Sequence, residues 1–171
     1  MATLDKENVL RVLQAKGPLV PNELRRDVGG DTMLLGAVLS ELVSRGMAKL
    51  TDVKKGGSPF YYVPGQEAKL EGLTEYLNAK DQEVVHKLQQ EKVIADGSQE
   101  LLVRVGLRKA KDYAKQLQVQ TSKGPMLFWR YYMVSEEQAM DVLRQRYNNQ
   151  ATPQTTKSTT TPISQDAQQT A

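Results

Sequence analysis

The chain of 171 residues contains no cysteine, one histidine, one tryptophan and two phenylalanines. The lack of cysteine excludes disulfides and thiolate metal sites. The single histidine, His86, leaves no histidine pair for a metal ion and no base beside a nucleophile. We therefore expect that the protein is not an enzyme and that it has no catalytic residue, no metal and no cofactor.

Long apolar runs are also absent. No segment approaches the roughly 20 apolar residues that a helix needs to cross a bilayer, and the first residues lack the charged-then-apolar pattern of a signal peptide. These absences predict a cytoplasmic protein with no membrane partner.

The chain has no large excess of positive or negative charge, because its 23 basic and 20 acidic residues give a net charge of +3. Residues 1–66 carry +2, residues 67–80 carry −1 and residues 81–147 carry +2, so neither half is a basic block. The placement of the cations therefore decides more than their sum. From Asn148 onward the chain is mostly Asn, Gln, Thr and Ser, which predicts a disordered tail over residues 148–171.

Two similar segments indicate that the chain is doubled. They are KGGSPFYY, at residues 55–62, and KGPMLFWR, at residues 123–130, and they align without gaps at an offset of 68 residues. Each follows a helix-like stretch. A helical segment that leads into a basic glycine turn and an aromatic strand is the layout of a winged helix, so binding is the first hypothesis.

The first half shows three helical patterns, at residues 5–16, 21–28 and 31–45. Gly17-Pro18 ends the first helix, Pro21 fits the first turn of the second, and Asp31 caps the third. A hairpin follows, with strands predicted at residues 47–53 and 59–63. The order predicts a helix-turn-helix followed by a wing.

Residues 5–64 resemble a winged helix-turn-helix domain. The stretch LSELVSRGM, at residues 39–47, is similar to the end of the recognition helix and the entry to the wing in bacterial and archaeal transcription regulators. The resemblance implies a nucleic-acid-binding function, with the wing cations Lys54 and Lys55 on phosphates. Two adjacent lysines at a hairpin tip are also ordinary surface residues, and that interpretation stays open.

The sequence pattern of the second half predicts a reduced copy of the first half. The apolar triplet of the first helix recurs at an offset of 75, as Val84, Val85 and Leu88. Because the hairpins are offset by 68, seven residues are missing, about the length of the second helix. We expect one long helix from about Ser98 to Leu117 to replace the usual pair. A capping box at residues 135–138 predicts a last helix through about Tyr147.

Basic residues of the predicted long helix fall in one arc beside its core face. At about 100° per residue, the stripe contains Arg104, Arg108, Lys111 and Lys115. Lys123 in the next turn and Arg130 in the return strand extend it. Such a stripe suits phosphate contact. The alternative is a solvated helix face, on which Glu100 and Asp112 would pair with Arg104 and Arg108 at four-residue spacing.

The third helix of the first half lacks the side chains that read bases. Its outer face presents Thr32, Met33, Gly36, Ala37, Ser40 and Ser44, none of which makes the paired hydrogen bonds that Arg, Asn or Gln make to purines. Small residues allow close approach to a backbone or to another protein. The face formed by Thr32, Gly36, Ala37 and Ser40 is therefore a candidate protein-docking surface.

We predict an α+β chain of tandem winged helix-turn-helix domains at residues 1–65 and 81–147, joined by a connecting helix at residues 66–80. The predicted function is DNA binding in transcription regulation or chromatin, mainly through phosphates of a duplex. RNA is a third target that the sequence leaves open. The alternative is an adaptor that docks onto a polymerase, a ribosome or another large assembly.

Overall fold

The computed structural model describes residues 4–147 and shows an α+β chain with two small antiparallel sheets. It divides into two compact units. Within residues 4–147, unit 1 contains residues 4–82 and the segment Ala110–Asp112, and unit 2 contains Glu83–Lys109 and residues 113–147. The tail predicted at residues 148–171 lies outside the described residues.

Unit 1 begins with three helices, α1 (Lys6–Lys16), α2 (Pro21–Val28) and α3 (Thr32–Ser44). The carboxylate of Asp5 accepts from the N–H of Asn8 at 2.7 Å, and that of Asp31 accepts from Met33 at 2.9 Å. These side chains satisfy N–H groups that have no partner within the first helical turn. The predicted helices and caps of the first half are thus confirmed.

The apolar faces of these helices form the core of unit 1. Its fully buried leucines and valines are Val9, Leu13, Leu24, Val28, Leu35, Leu39 and Leu42. Gln66 closes this core at the end of α1, because its Nε2 donates to the carbonyl of Leu13 at 2.8 Å and its Oε1 accepts from the N–H of Val63 at 3.0 Å. A buried amide with both ends satisfied stabilises the packing.

The hairpin of unit 1 consists of β1 (Lys49–Lys55) and β2 (Ser58–Tyr62). Gly56 and Gly57 form its turn with positive φ angles of 60° and 85°, which residues with a Cβ rarely adopt. The strand register shifts between Leu50 and Lys54, and the buried Thr51 hydroxyl accepts from the N–H of Phe60 at 3.0 Å within that bulge.

Residues 66–80, where we predicted a connecting helix, contain a 3-10 helix at Glu67–Tyr76 that belongs to unit 1. Leu70 and Leu73 are buried, and the Tyr76 ring packs 5.3 Å from that of Phe60. This segment therefore packs on the hairpin of its own unit.

Unit 2 takes most of α4 (Ala79–Glu91), followed by β3 (Val93–Ala95), a 3-10 turn at Asp96–Ser98 and α5 (Leu101–Lys109). The remaining elements are β4 (Ala114–Thr121), β5 (Gly124–Tyr131) and α6 (Glu136–Tyr147). The strand order is β3-β5-β4, and all pairs are antiparallel.

One face of this sheet packs on α6. That core contains Val93, Leu117, Val119, Phe128, Ala139 and Leu143. The predicted capping box begins α6, because Ser135 N–H donates to Gln138 Oε1 at 2.9 Å and Gln138 N–H donates to Ser135 Oγ at 3.0 Å.

The two units share one order of elements and one equivalent strand pairing, whereas their hairpins differ in register, because Lys55 pairs with Ser58 at the end of β1 but the equivalent Lys123 lies in the turn after β4. In unit 1 the backbones of Leu19 and Tyr61 form an antiparallel bridge, with N–H to carbonyl distances of 3.0 and 2.7 Å. In unit 2, Ile94 pairs with Trp129 in the same way. These positions are related by the two offsets read from the sequence, 75 before the middle helices and 68 after them. The 3-10 turn Asp96–Ser98 occupies the place of α2.

The predicted long helix from Ser98 to Leu117 is wrong. The helix α5 ends at Lys109, and Ala114 begins an eight-residue strand. Its register with β5 runs from Ala114 opposite Tyr131 to Thr121 opposite Gly124. Leu117 and Val119 alternate with exposed glutamines, and this period of two, satisfied by pairing with β5, outweighs the helical spacing of the cations.

Candidate nucleic-acid interface

Two of the predicted cations, Arg104 and Arg108, lie on α5 and share one carboxylate. Arg108 forms a fork on Asp96, with Nη1 to Oδ1 at 2.7 Å and Nη2 to Oδ2 at 3.2 Å. Arg104 Nε donates to Asp96 Oδ2 at 3.2 Å. The Asp96 side chain is 7% exposed, whereas those of Arg104 and Arg108 are 42% and 45% exposed. The carboxylate therefore holds two arginines that still reach solvent.

Trp129 completes this cluster. Its indole N–H donates to Asp96 Oδ1 at 3.0 Å, and the Arg108 guanidinium lies 5.4 Å from the ring centroid. The hydrogen bond from Arg108, and then that from Trp129, lowers the pKa of Asp96 from 3.8 to about 2 against the opposing effect of burial. Asp96 is thus ionised at neutral pH, and the cluster keeps one net positive charge.

The predicted pairing of these arginines with Glu100 and Asp112 is not what the structure shows, because both guanidinium groups bond to Asp96. The Asp112 carboxylate instead belongs to unit 1, where it accepts from the N–H groups of Asp52 and Val53 at 2.8 to 2.9 Å. Sequence spacing alone favoured partners one helical turn away and missed an acceptor on another element.

The predicted single stripe of cations is wrong, since it required one helix through residue 117. Lys115 lies on β4 directly opposite Arg130 on β5, so both lie on the sheet face opposite to Trp129. Arg130 Nη1 donates to the carbonyl of Val134 at 2.7 Å, and its Nε is buried without a hydrogen-bond partner in residues 4–147. Lys111 lies in the segment after α5 that belongs to unit 1.

Lys123 lies in the exposed β4–β5 turn, as the sequence predicted. It shares unit 2 with α5, and together α5, β4, β5 and their turn carry six cations and no carboxylate. The six are Arg104, Arg108, Lys109, Lys115, Lys123 and Arg130. This concentration of positive charge is larger than the net charge of the whole chain.

The two predicted wing cations of unit 1 differ from one another. Lys54 is exposed on β1. Lys55 Nζ donates to Glu23 Oε2 at 2.7 Å and lies 5.5 Å from the Tyr76 ring centroid. The bond from Glu23 raises the pKa of Lys55; burial acts to raise the pKa of Glu23, but the bonds from Lys55 and from the N–H of Val20 lower it. Lys55 is therefore engaged within its own unit.

The outer face of α3 is exposed as predicted, at Thr32, Met33, Gly36, Ala37, Ser40 and Ser44. The Thr32 hydroxyl accepts from Arg25 Nη1 at 2.9 Å. Met33 and Leu34 are 80% and 58% exposed, so the first turn of this helix presents an apolar pair to solvent.

The same apolar pair recurs on α5. At the offset of 68, Leu101 and Leu102 correspond to Met33 and Leu34, and they are 72% and 63% exposed. Arg104 and Arg108 correspond in turn to Gly36 and Ser40. The two helices thus share their apolar start, while only α5 adds cations to the middle of the outer face.

Sequence reasoning did not find Asp96 as the centre of this site, because it considered partners for the arginines only at four-residue spacing. The available signal was an acidic residue directly after the apolar run Val93–Ala95, where strand pairing brings it beside β5. Which arginines it would bind followed only from the packing of α5.

Comparison of the chain with protein-family models, curated proteins and solved structures found no match. Across residues 4–147, no helix combines the length and apolar character needed to traverse a bilayer.

Proposed function

We propose that this protein is a tandem winged-helix protein that binds duplex DNA mainly through phosphates, with unit 2 making the stronger contact. The observation that carries the proposal is that Asp96 fixes Arg104 and Arg108 on α5 while Lys123 lies in an exposed turn, in a region where α5, β4, β5 and the β4–β5 turn contain no Asp or Glu. Cations held at fixed positions bind a polyanion because they displace its condensed counterions.

The order of elements supports the winged-helix interpretation. Each unit runs helix, bridge or strand, turn or helix, outward-facing helix and hairpin, with equivalent pairing at Leu19–Tyr61 and Ile94–Trp129. In this arrangement α3 and α5 take the place of the helix that lies in the major groove. Lys54 and Lys123 lie in or beside the two hairpin turns, where a wing contacts the backbone.

The side chains on these helices favour binding with little sequence preference. The outer face of α3 carries small and apolar residues, and the α5 arginines each donate to Asp96. Phosphate contacts position a protein but carry no direct base information. These side chains therefore favour a transcription or chromatin factor that binds DNA with little sequence preference over one that reads a base sequence with α3.

A salt titration tests this proposal. We expect the affinity for a short labelled DNA duplex to fall linearly on a logarithmic plot against salt, with a slope of about −0.9 per phosphate neutralised. Duplexes of unrelated sequence should give similar slopes, and a duplex RNA of the same length tests the RNA alternative. Binding that is absent at low salt, or insensitive to salt, contradicts the proposal.

A second candidate function, docking onto a protein assembly, is favoured by the exposed apolar pairs Met33-Leu34 and Leu101-Leu102. Large apolar side chains at equivalent positions of two helices are typical of protein interfaces. If the protein is an adaptor, we expect it to co-purify with a defined protein complex. The double variant Leu101→Ser with Leu102→Ser should then abolish the co-purification and leave the salt slope of DNA binding unchanged. A double variant that weakens DNA binding instead contradicts the adaptor interpretation.

A further inference from the structure

Three glutamines form a ladder along β4, on the sheet face that carries Trp129. Gln116, Gln118 and Gln120 are exposed, whereas the alternating residues Leu117 and Val119 are buried. Since side chains alternate across a strand, the three amides point to one face and follow each other at about 6.8 Å.

The ladder extends from the α5 arginines to Lys123. Gln116 lies opposite Trp129, whose ring contacts the Arg108 guanidinium, so the ladder begins beside α5. Gln118 and Gln120 continue opposite Leu127 and Pro125 toward the turn that holds Lys123. No Asp or Glu occurs anywhere in β4, β5 or their turn.

We propose that Gln116, Gln118 and Gln120 bind the sugar–phosphate backbone of a DNA duplex. In this proposal the α5 arginines contact the duplex at one end of the ladder and Lys123 contacts it at the other end. This inference rests on the proposed function. Amide N–H groups donate to phosphate oxygens without adding charge. The position between the α5 arginines and Lys123, on a hairpin that itself contains no Asp or Glu, makes the ladder complementary to a polyanion. Because β4 is an edge strand in the order β3-β5-β4, no further strand of residues 4–147 covers it.

Paired charge variants test the ladder. Gln118→Glu with Gln120→Glu places two carboxylates on it, and Gln90→Glu with Gln145→Glu places two on exposed positions of α4 and α6. All four are surface changes of equal size, so thermal unfolding should stay near that of the wild type. We expect the ladder variant to bind a labelled duplex about tenfold more weakly than the control at the same salt concentration, a difference of about 1.4 kcal/mol.

A neutral variant separates hydrogen bonding from charge. Replacing all three ladder glutamines by alanine should weaken binding by about threefold or more while leaving the salt slope unchanged, because no counterion-displacing charge is lost. A ladder variant that binds like its control, or an alanine variant with unchanged affinity, overturns the ladder alone. A wild-type protein without salt-dependent DNA binding overturns the proposed function and the ladder together.

Discussion

The indole N–H of Trp129 donates to the buried carboxylate of Asp96 over 3.0 Å, and this bond joins β5 to the turn that precedes α5. The same carboxylate accepts from Arg104 and Arg108, so one anion positions a strand and a helix. Removing it leaves two guanidinium groups and an indole N–H without their shared acceptor. The orientation of the α5 arginines therefore depends on a residue that does not itself face the solvent.

Replacement of Asp96 by asparagine should destabilise unit 2 by about 2 kcal/mol, because the amide carries no charge to pair with the two guanidinium groups and its NH2 is a donor that faces other donors. Denaturant unfolding followed by fluorescence of Trp129, the single tryptophan, measures this. Asp141→Asn is the matched control. Its pair with Arg144 is 2.6 Å long but exposed on both sides, so its loss should cost less than about 0.5 kcal/mol. Equal losses in the two variants would contradict the role of Asp96.

Acid should remove the same contribution from the wild type. The pKa of Asp96 is lowered from 3.8 to about 2, so the folded state binds this proton less tightly than the unfolded state. The stabilisation is fully present above about pH 5 and is lost as the pH falls toward about 2, an amount near 2 kcal/mol at about 1.36 kcal/mol per pKa unit. The stability difference between wild type and Asp96→Asn should shrink over this range; a constant difference contradicts the prediction.

Alanine at Gly106 should destabilise unit 2 by about 1 to 3 kcal/mol. The added Cβ would lie 2.8 Å from Cγ2 of Val84, a stiff buried side chain on α4. Gly36 on α3 is the matched control, since nothing lies within 4 Å of its added Cβ. Gly36→Ala should stabilise by about 0.5 to 1 kcal/mol through helix propensity. Thermal unfolding of both variants distinguishes the effect of the Val84 contact from the effect of alanine's helix propensity.

Neutralisation of Lys123 by Lys123→Gln should reduce the salt slope of DNA binding by about 0.9, the loss of about one phosphate contact. The residue lies in an exposed turn, so stability should hardly change. Lys80→Gln removes an equal charge from an exposed position outside unit 2 and should leave the slope near that of the wild type. Equal slopes for the two variants would show that the hairpin turn does not contact DNA.

Much of the fold was predictable because local chemistry sets it. Asp5 and Asp31 cap helices through their own backbone neighbourhood, and Gly56 and Gly57 form a turn that requires positive φ. The offsets of 75 and 68 matched positions that the structure pairs, at Ile94 and Trp129. These features depend on residues a few positions apart, so the sequence contains them directly.

The candidate site was less predictable, since it depends on distant partners. Ala114 to Leu117 fits a helical arc as well as a strand, and only pairing with β5 decides between them. The predicted helix assigned Lys115 to the wrong element. It also obscured the glutamine ladder, because glutamines at every second position share a face only in a strand. Asp96 and Arg108 are twelve residues apart, beyond any helical spacing rule.

The sequence alone determined where the first three helices begin and end and which glycines form the first hairpin turn, because these follow from short-range sterics and hydrogen bonding. Tertiary structure decided that α5 ends at Lys109, that Asp96 binds Arg104, Arg108 and Trp129, and that Lys115 and Arg130 lie on the sheet face opposite to Trp129. The physical reason is that strand pairing and burial of a charge are settled by groups far apart in the chain, whose meeting stabilises the fold more than local propensity does.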